Sequence, residues 1–166
     1  MRTRLVASIS LAVGLFQAVN AWAGSPATLP PFSLPDLEGK AWSDAAFAGK
    51  PIIIDFWATW CATCKETVPN LLEIAHKYKD KGLVVVGISV DKGSDSKIKK
   101  AAKKLGIDYL VLRDKENALS KDFGFNGIPS LYVFDAMGKA QLALPGYDPD
   151  QEKQLDAAVA KAVSGS

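Results

Sequence analysis

Cysteine and histidine are scarce in this chain: 166 residues include two Cys and one His. Two cysteines cannot staple a disulfide-dense miniature domain, and they are two ligands short of a closed tetrahedral zinc site. A surplus of charge of either sign is also missing. The 20 basic and 18 acidic residues nearly cancel, leaving +2, which argues against a nucleic-acid partner, since such binders carry a strongly basic face. Repeat and collagen-like composition are absent, and a hydrophobic content of 48% is too high for a disordered chain. These exclusions leave one ordinary globular domain with a short appendage.

The appendage is at the start. Arg2 and Arg4 form a short positive region, and the stretch from Leu5 to Ala18 is mostly apolar and uncharged. It contains Ser8, Ser10 and Gln17 and falls short of the roughly 20 residues a membrane helix needs. Ala21-Trp22-Ala23 then sets small residues around one spacer. The pattern predicts a cleavable Sec-type signal peptide over residues 1–23, with no stable membrane anchor after cleavage. Thr3 separates the two arginines, against a twin-arginine route, and no cysteine follows the apolar stretch to carry a lipid. Losing Arg2 and Arg4 leaves 18 basic and 18 acidic residues, a neutral chain in a compartment where disulfides persist.

Residues 24–31 are small and proline-rich and predict a flexible leader, followed by one domain over 32–166. Phe32–Leu34 and Lys40–Trp42 flank the turn chemistry of Pro35–Gly39, which predicts a hairpin. Ser43 or Asp44 can cap a single helical turn through Phe47. Ile52–Trp57 is an apolar, β-branched run broken only by Asp55, as expected for a strand buried on both faces. Helical spacing follows from Ala62 to about Lys79, with Gly82 as the stop, and Leu83–Val90 is a second buried strand. Ile98, Ala101, Ala102 and Leu105 recur at helical spacing with lysines on the other faces. Tyr109–Leu112 predicts a strand, Asn117–Phe123 a short helix, Ser130–Phe134 and Gln141–Leu144 a hairpin, and Asp150–Val163 a closing helix. Strands alternating with helices, plus a terminal hairpin, imply an α/β fold with a mixed sheet.

Cys61-Ala62-Thr63-Cys64 stands where the buried strand gives way to a helix. The first N–H groups of a helix lack partners and its macrodipole is positive there, so a thiolate at Cys61 is stabilised and its pKa lowered. Cys64 lies one turn on, within disulfide reach. Cys61 can attack a partner's disulfide and Cys64 can resolve the mixed disulfide; the reverse sequence oxidises a dithiol. Other readings of the pair stay open. A purely structural bridge closing so small a loop is a poor staple. A Cu- or Zn-binding module would use the two thiolates, but His76 is expected on a solvated helix face and Met137 in a turn. A peroxidatic cysteine lacks its usual upstream Pro and Thr/Ser.

Around Phe56-Trp57-Ala58-Thr59-Trp60-Cys61-Ala62-Thr63-Cys64-Lys65 the sequence resembles the thioredoxin superfamily, most closely its TlpA/ResA/CcmG-type periplasmic thiol–disulfide oxidoreductases, over about Pro31 to Val163. The resemblance implies a thioredoxin fold with an N-terminal β-hairpin and a central αβ insertion covering about Leu83–Val90 and the lysine-rich helix. It implies that Cys61 is the exposed nucleophile, Cys64 the resolving cysteine, Trp60 a flat surface for a partner chain and Pro69 a structural helix kink. Ile128–Pro129 matches the cis-proline loop, where the backbone of Ile128 can pair with an extended substrate. Asp55, six residues before Cys61, matches the buried aspartate that moves the resolving thiol's proton, and burial is expected to raise its pKa. Glu66 is read as favouring the helix start rather than assisting Asp55. The residue before the second cysteine is commonly proline and here is Thr63, which puts the reduction potential in doubt. No histidine lies between the cysteines, as a DsbA-like oxidant would have, which leans toward a reductase or shuttle, with an oxidase or isomerase as the other direction of the same chemistry. The resemblance further implies no cofactor beyond the Cys61–Cys64 disulfide and no metal. Its implied partners are protein disulfide substrates, among them apocytochrome c or proteins of copper-site assembly, and a DsbD/CcdA-type membrane thiol donor. Lys97, Lys99, Lys100, Lys103 and Lys104 are read as a solvated helix face rather than a docking patch.

Overall fold

The structure, a computed structural model, describes residues 24–165; the signal-peptide expectation for residues 1–23 lies outside them. The elements are β1 (Ser33–Pro35), β2 (Ala41–Ser43), β3 (Ile52–Trp57), α1 (Ala62–Tyr78), β4 (Val84–Ser89), α2 (Asp95–Leu105), β5 (Leu110–Arg113), α3 (Ser120–Phe123), β6 (Ser130–Phe134), β7 (Ala140–Pro145) and α4 (Glu152–Ser164). β1 and β2 form the expected hairpin, and the main sheet has five strands in the order β5-β4-β3-β6-β7. β4 and β5 run parallel to β3, β6 runs antiparallel to it, and β7, antiparallel to β6, points the same way as β3.

β3 is central because all six of its residues are buried. Alternation splits them between the faces. Ile52, Ile54 and Phe56 point into a cluster with Phe123, Phe125, Tyr132 and Phe134, on the side of the hairpin. Ile53 points into a second cluster, built with Leu71, Ile74 and Tyr78 of α1 and Leu155 and Val159 of α4. Trp57 shares its face and joins a third, with Cys61, Cys64, Val111, and Ile98 and Ala102 of α2. The residues between the lysines of α2 thus have a core to fill, and the lysines are exposed, Lys99 pairing with Glu38 at 3.0 Å.

Two details differ from the sequence-based expectations, and a third becomes specific. The segment expected as a flexible leader is tied down: Leu29 N–H donates to Gly138 O at 2.8 Å and Ala140 N–H to Ala27 O at 2.9 Å. The short helix begins at Ser120, not Asn117. Asp114 accepts from the N–H groups of Ala118 and Leu119, and Asn117 has a φ of 52°, so the preceding residues form a turn instead. The strand expected within a central insertion, β4, lies between β3 and β5 in the sheet interior, and β5 takes the edge. That edge is covered by the hairpin through an Asp36–Leu112 bridge.

Candidate active site

β3 delivers the chain to the site and α1 begins there. Ala58–Cys61 make a tight turn, with Cys61 N–H donating to Ala58 O at 3.1 Å. Cys61 is itself the N-cap of α1: its backbone is extended, and its Sγ accepts from Cys64 N–H at 3.1 Å. The sulfur takes the place of the oxygen that a serine or aspartate cap would supply. A thiolate at Cys61 would therefore sit against a helix N–H and the positive end of the macrodipole. Cys61 and Cys64 are joined as a disulfide, with Cα atoms 5.3 Å apart. Both sulfur-bearing residues are covered, Cys61 at 6% exposure and Cys64 at 1%. The expectation of an exposed nucleophile is corrected to that extent: in the disulfide form Cys61 packs into the cluster of Trp57, Ala58 and Ile98, with Val90 and Ile128 against it.

Trp60, by contrast, is 68% exposed, while Trp57 is fully buried. The Ile128–Pro129 peptide is cis. Ser130 Oγ donates to Gly127 O at 2.7 Å, and Pro129 O accepts from Gly146 and Tyr147. Among the described residues the backbone N–H and C=O of Ile128 have no partner. Between Trp60 and this loop runs a groove of about 400 Å³, walled also by Val90, Lys92, Glu116, Asn117 and Phe125. A larger cleft, about 720 Å³, lies by the hairpin and Arg113–Glu116. Neither cysteine lines either cavity, so the disulfide defines the site, and the smaller groove belongs to it because Trp60, next to Cys61, and Ile128 of the cis-proline loop form its walls.

Asp55 is in the interior of β3, opposite Gly87 of β4 and Leu131 of β6. It shares a sheet face with Trp57, whose cluster holds the disulfide. Burial pushes its carboxyl up to about 7, with the Tyr109 hydroxyl acting in the opposite direction. That hydroxyl is buried and makes no hydrogen bond of regular geometry, although it is close enough to bias Asp55. Gly87 makes room for the arrangement. A Cβ there would stand 3.0 Å from the Tyr109 ring and 3.1 Å from the Trp57 indole nitrogen. Gly87→Ala is expected to destabilise the fold by about 1–3 kcal/mol through overpacking, read as a lower urea midpoint at unchanged m-value.

Pro69 lies inside α1, where it removes the N–H that would bond the Lys65 carbonyl. Glu66 falls just past the first helical turn, which holds no acid, so its expected role at the helix start is not what the structure shows. His76 is exposed and pairs with Asp108 at 2.8 Å. Among the described residues no group of three or more His, Cys, Asp or Glu could hold a metal ion, and no helix is long and apolar enough to cross a membrane.

Sequence reasoning missed Asp91. Its carboxylate accepts from Thr59 N–H at 2.9 Å, Thr59 Oγ1 at 2.6 Å and Ser89 Oγ at 2.9 Å. These contacts tie the turn before Cys61 to the end of β4. The signal was the lone acid ending the apolar run Leu83–Val90, but a partner 32 residues away cannot be read from local spacing.

A disulfide capping a helix, beside a cis-proline loop on a mixed sheet, defines a thioredoxin-fold thiol–disulfide oxidoreductase. The chain belongs to the AhpC/TSA family, whose model matches residues 26–143. It is 32% identical to the thiol-disulfide oxidoreductase ResA of Bacillus thuringiensis subsp. konkukian over 70% of this chain and 67% of that protein. A thioredoxin-family thiol:disulfide interchange protein from Chlorobium tepidum TLS superposes with a TM-score of 0.69 at 29% identity, over 83% of this chain and 97% of that one. Another Chlorobium tepidum structure, provisionally assigned as the thiol:disulfide interchange protein DsbE, gives a TM-score of 0.76 at 26% identity over 84% and 96%.

Proposed function

We propose that the protein works outside the cytoplasm as a reductase of disulfides in other proteins. The observation that carries the exchange chemistry is the position of Cys61 Sγ at the first turn of α1, where the thiolate form is favoured, and the reducing direction is supported by the lack of a histidine between the cysteines. In the reduced protein Cys61 attacks one sulfur of a client disulfide. A bond forms between Cys61 and the client, the client's S–S bond breaks, and the departing thiolate takes a proton from solvent. Cys64 then gives up its proton to Asp55 and attacks Cys61 Sγ. The mixed disulfide breaks, the client's second sulfur leaves as a thiolate and takes a proton from solvent so that the client departs as a dithiol, Asp55 returns its proton to solvent, and the Cys61–Cys64 disulfide remains. Two electrons have passed to the client, and a membrane dithiol donor of DsbD/CcdA type restores them. Apocytochrome c or copper-site proteins are the client classes that the resemblance favours. The signal-peptide pattern over residues 1–23 supports a periplasmic location for the domain 32–166.

Trp60 and the free backbone of Ile128 supply the client surface, the first by stacking and the second by strand-like pairing beside Pro129. Trp60→Ala is expected to raise KM for a disulfide-bonded protein about tenfold, with kcat nearly unchanged, in a stopped-flow assay of thiol release. The direction of the reaction is tested by equilibrating the protein in a glutathione redox series and reading alkylation by mass. Related dithiols span about −270 to −120 mV. A midpoint near the reducing end supports the reductase reading, and one near the oxidising end overturns it.

A further inference from the structure

Asp91 is buried, and its carboxylate grips the turn that leads to the rim of the site. Both carboxylate oxygens reach Thr59, one to its N–H at 2.9 Å and the other to its hydroxyl at 2.6 Å. Ser89 Oγ steadies the carboxylate from the end of β4 at 2.9 Å. From the other side the Arg113 guanidinium donates to the backbone carbonyls of Asp91 and Gly93, each at 3.0 Å, and pairs with Asp95 at the start of α2. The turn it grips, Ala58–Cys61, has one internal hydrogen bond of its own. Trp60, exposed, follows Thr59 directly. Asp91's chain neighbours Val90 and Lys92 line the groove wall facing Trp60. One carboxylate therefore joins both walls of the groove.

We propose that Asp91 is a positioning residue for exchange with protein clients: by holding Thr59 it sets the spacing between Trp60 and the Val90–Lys92 wall, and so the shape of the groove that receives the client chain beside Cys61. The proposal rests on the reductase reading above and adds the residue that tunes its client surface. A client polypeptide must lie across both walls, whereas a small aromatic disulfide needs only the sulfur of Cys61. Loss of the clamp therefore separates the two substrates. A carboxylate present only to complete the fold would affect them alike.

The test compares Asp91→Ala, Asp91→Asn, Thr59→Val and Thr59→Ser with the parent, using insulin and dithiobis(nitrobenzoate) as substrates. Asp91→Ala and Thr59→Val are expected to raise KM for insulin about tenfold, the equivalent of one charge-assisted hydrogen bond. kcat and the rate with the small disulfide should stay within about twofold of the parent, and the reduction potential should not shift. Thr59→Ser, which keeps the hydroxyl, should behave as the parent. The Asp91→Ala/Thr59→Val double variant should be no worse than Asp91→Ala alone, because the hydroxyl contact that Thr59→Val removes is already lost with the carboxylate. Asp91→Asn keeps the shape and an acceptor, so it gives an intermediate KM and serves if Asp91→Ala fails to fold. Equal losses on both substrates in step with the unfolding midpoint, a shifted potential, or an unchanged KM would each overturn the proposal. A parent that reduces neither substrate instead sinks the reductase reading. Asp91 is then judged by covalent capture of insulin on Cys64→Ala with and without Asp91→Ala, which requires no turnover: slower capture supports the proposal and equal capture overturns it.

Discussion

Cys64→Ala should leave the protein locked to its clients through Cys61, while Cys61→Ala should capture none. Turnover of a protein disulfide should fall roughly a thousandfold or more in either variant, because the pair acts as a unit and its effects do not divide between the members. The asymmetry in capture follows from position. Both cysteines are covered in the disulfide form, but Cys61 Sγ faces a helix N–H and adjoins the exposed Trp60, whereas Cys64 is inside the helix. Non-reducing gels of a periplasmic extract incubated with reduced Cys64→Ala would show high-mass adducts that collapse on adding thiol. Adducts with Cys61→Ala and none with Cys64→Ala would reverse the two roles. The identity of the adducts would also separate cytochrome and copper-site clients.

The second large effect belongs to Asp55. A carboxyl held at about 7 in the folded protein, against an ordinary value of 3.8, keeps a proton that the unfolded chain releases. The folded state then binds more protons between about pH 4 and pH 7, so stability falls as pH rises through that window and levels off above it. The whole span is on the order of 4 kcal/mol. Asp55→Asn removes it. The variant should be more stable than the parent at pH 8 by an amount of that order, and the two should converge near pH 4, as read by urea unfolding across pH. The same substitution should slow resolution of the mixed disulfide by about a hundredfold, the usual size of a lost general base. The parent's rate should rise toward pH 7 as Asp55 ionises, and the variant's should not follow. A stabilised variant with an unaltered pH–rate profile would leave Asp55 a buried acid without a part in proton transfer.

Most of the sheet was legible because its strands are long apolar runs and its helices carry apolar residues at regular spacing. The cysteine pair, the tryptophan before it and the cis-proline loop are local patterns, so they too could be read directly. Contacts between distant polar groups could not. Asp91 with Thr59, Arg113 with Asp95, and Tyr109 beside Asp55 depend on which strands become neighbours, and no spacing encodes that. Gly87 was unreadable for the same reason: its lack of a side chain matters only because Tyr109 and Trp57 converge over it. The short helix was expected to begin too early because Asp114, four residues before Ala118, bends the chain by accepting its N–H. The leader looked mobile because its ties are backbone hydrogen bonds to a hairpin more than a hundred residues on.

The outer strands of the sheet bear on how this molecule meets other chains. β5 is only four residues long and is bridged by the hairpin at Leu112. β7 is shielded at one end by the leader, pairs irregularly with β6 near Phe134, and ends at Pro145, which has no N–H to offer. Bare sheet borders invite indiscriminate strand addition and, with it, aggregation. Here both borders are blunted, and the unpaired backbone of Ile128 lies next to the disulfide. An extended chain that docks by main-chain pairing is thereby directed to the sulfurs, so that the geometry that keeps the protein from polymerising also steers its encounters toward chemistry.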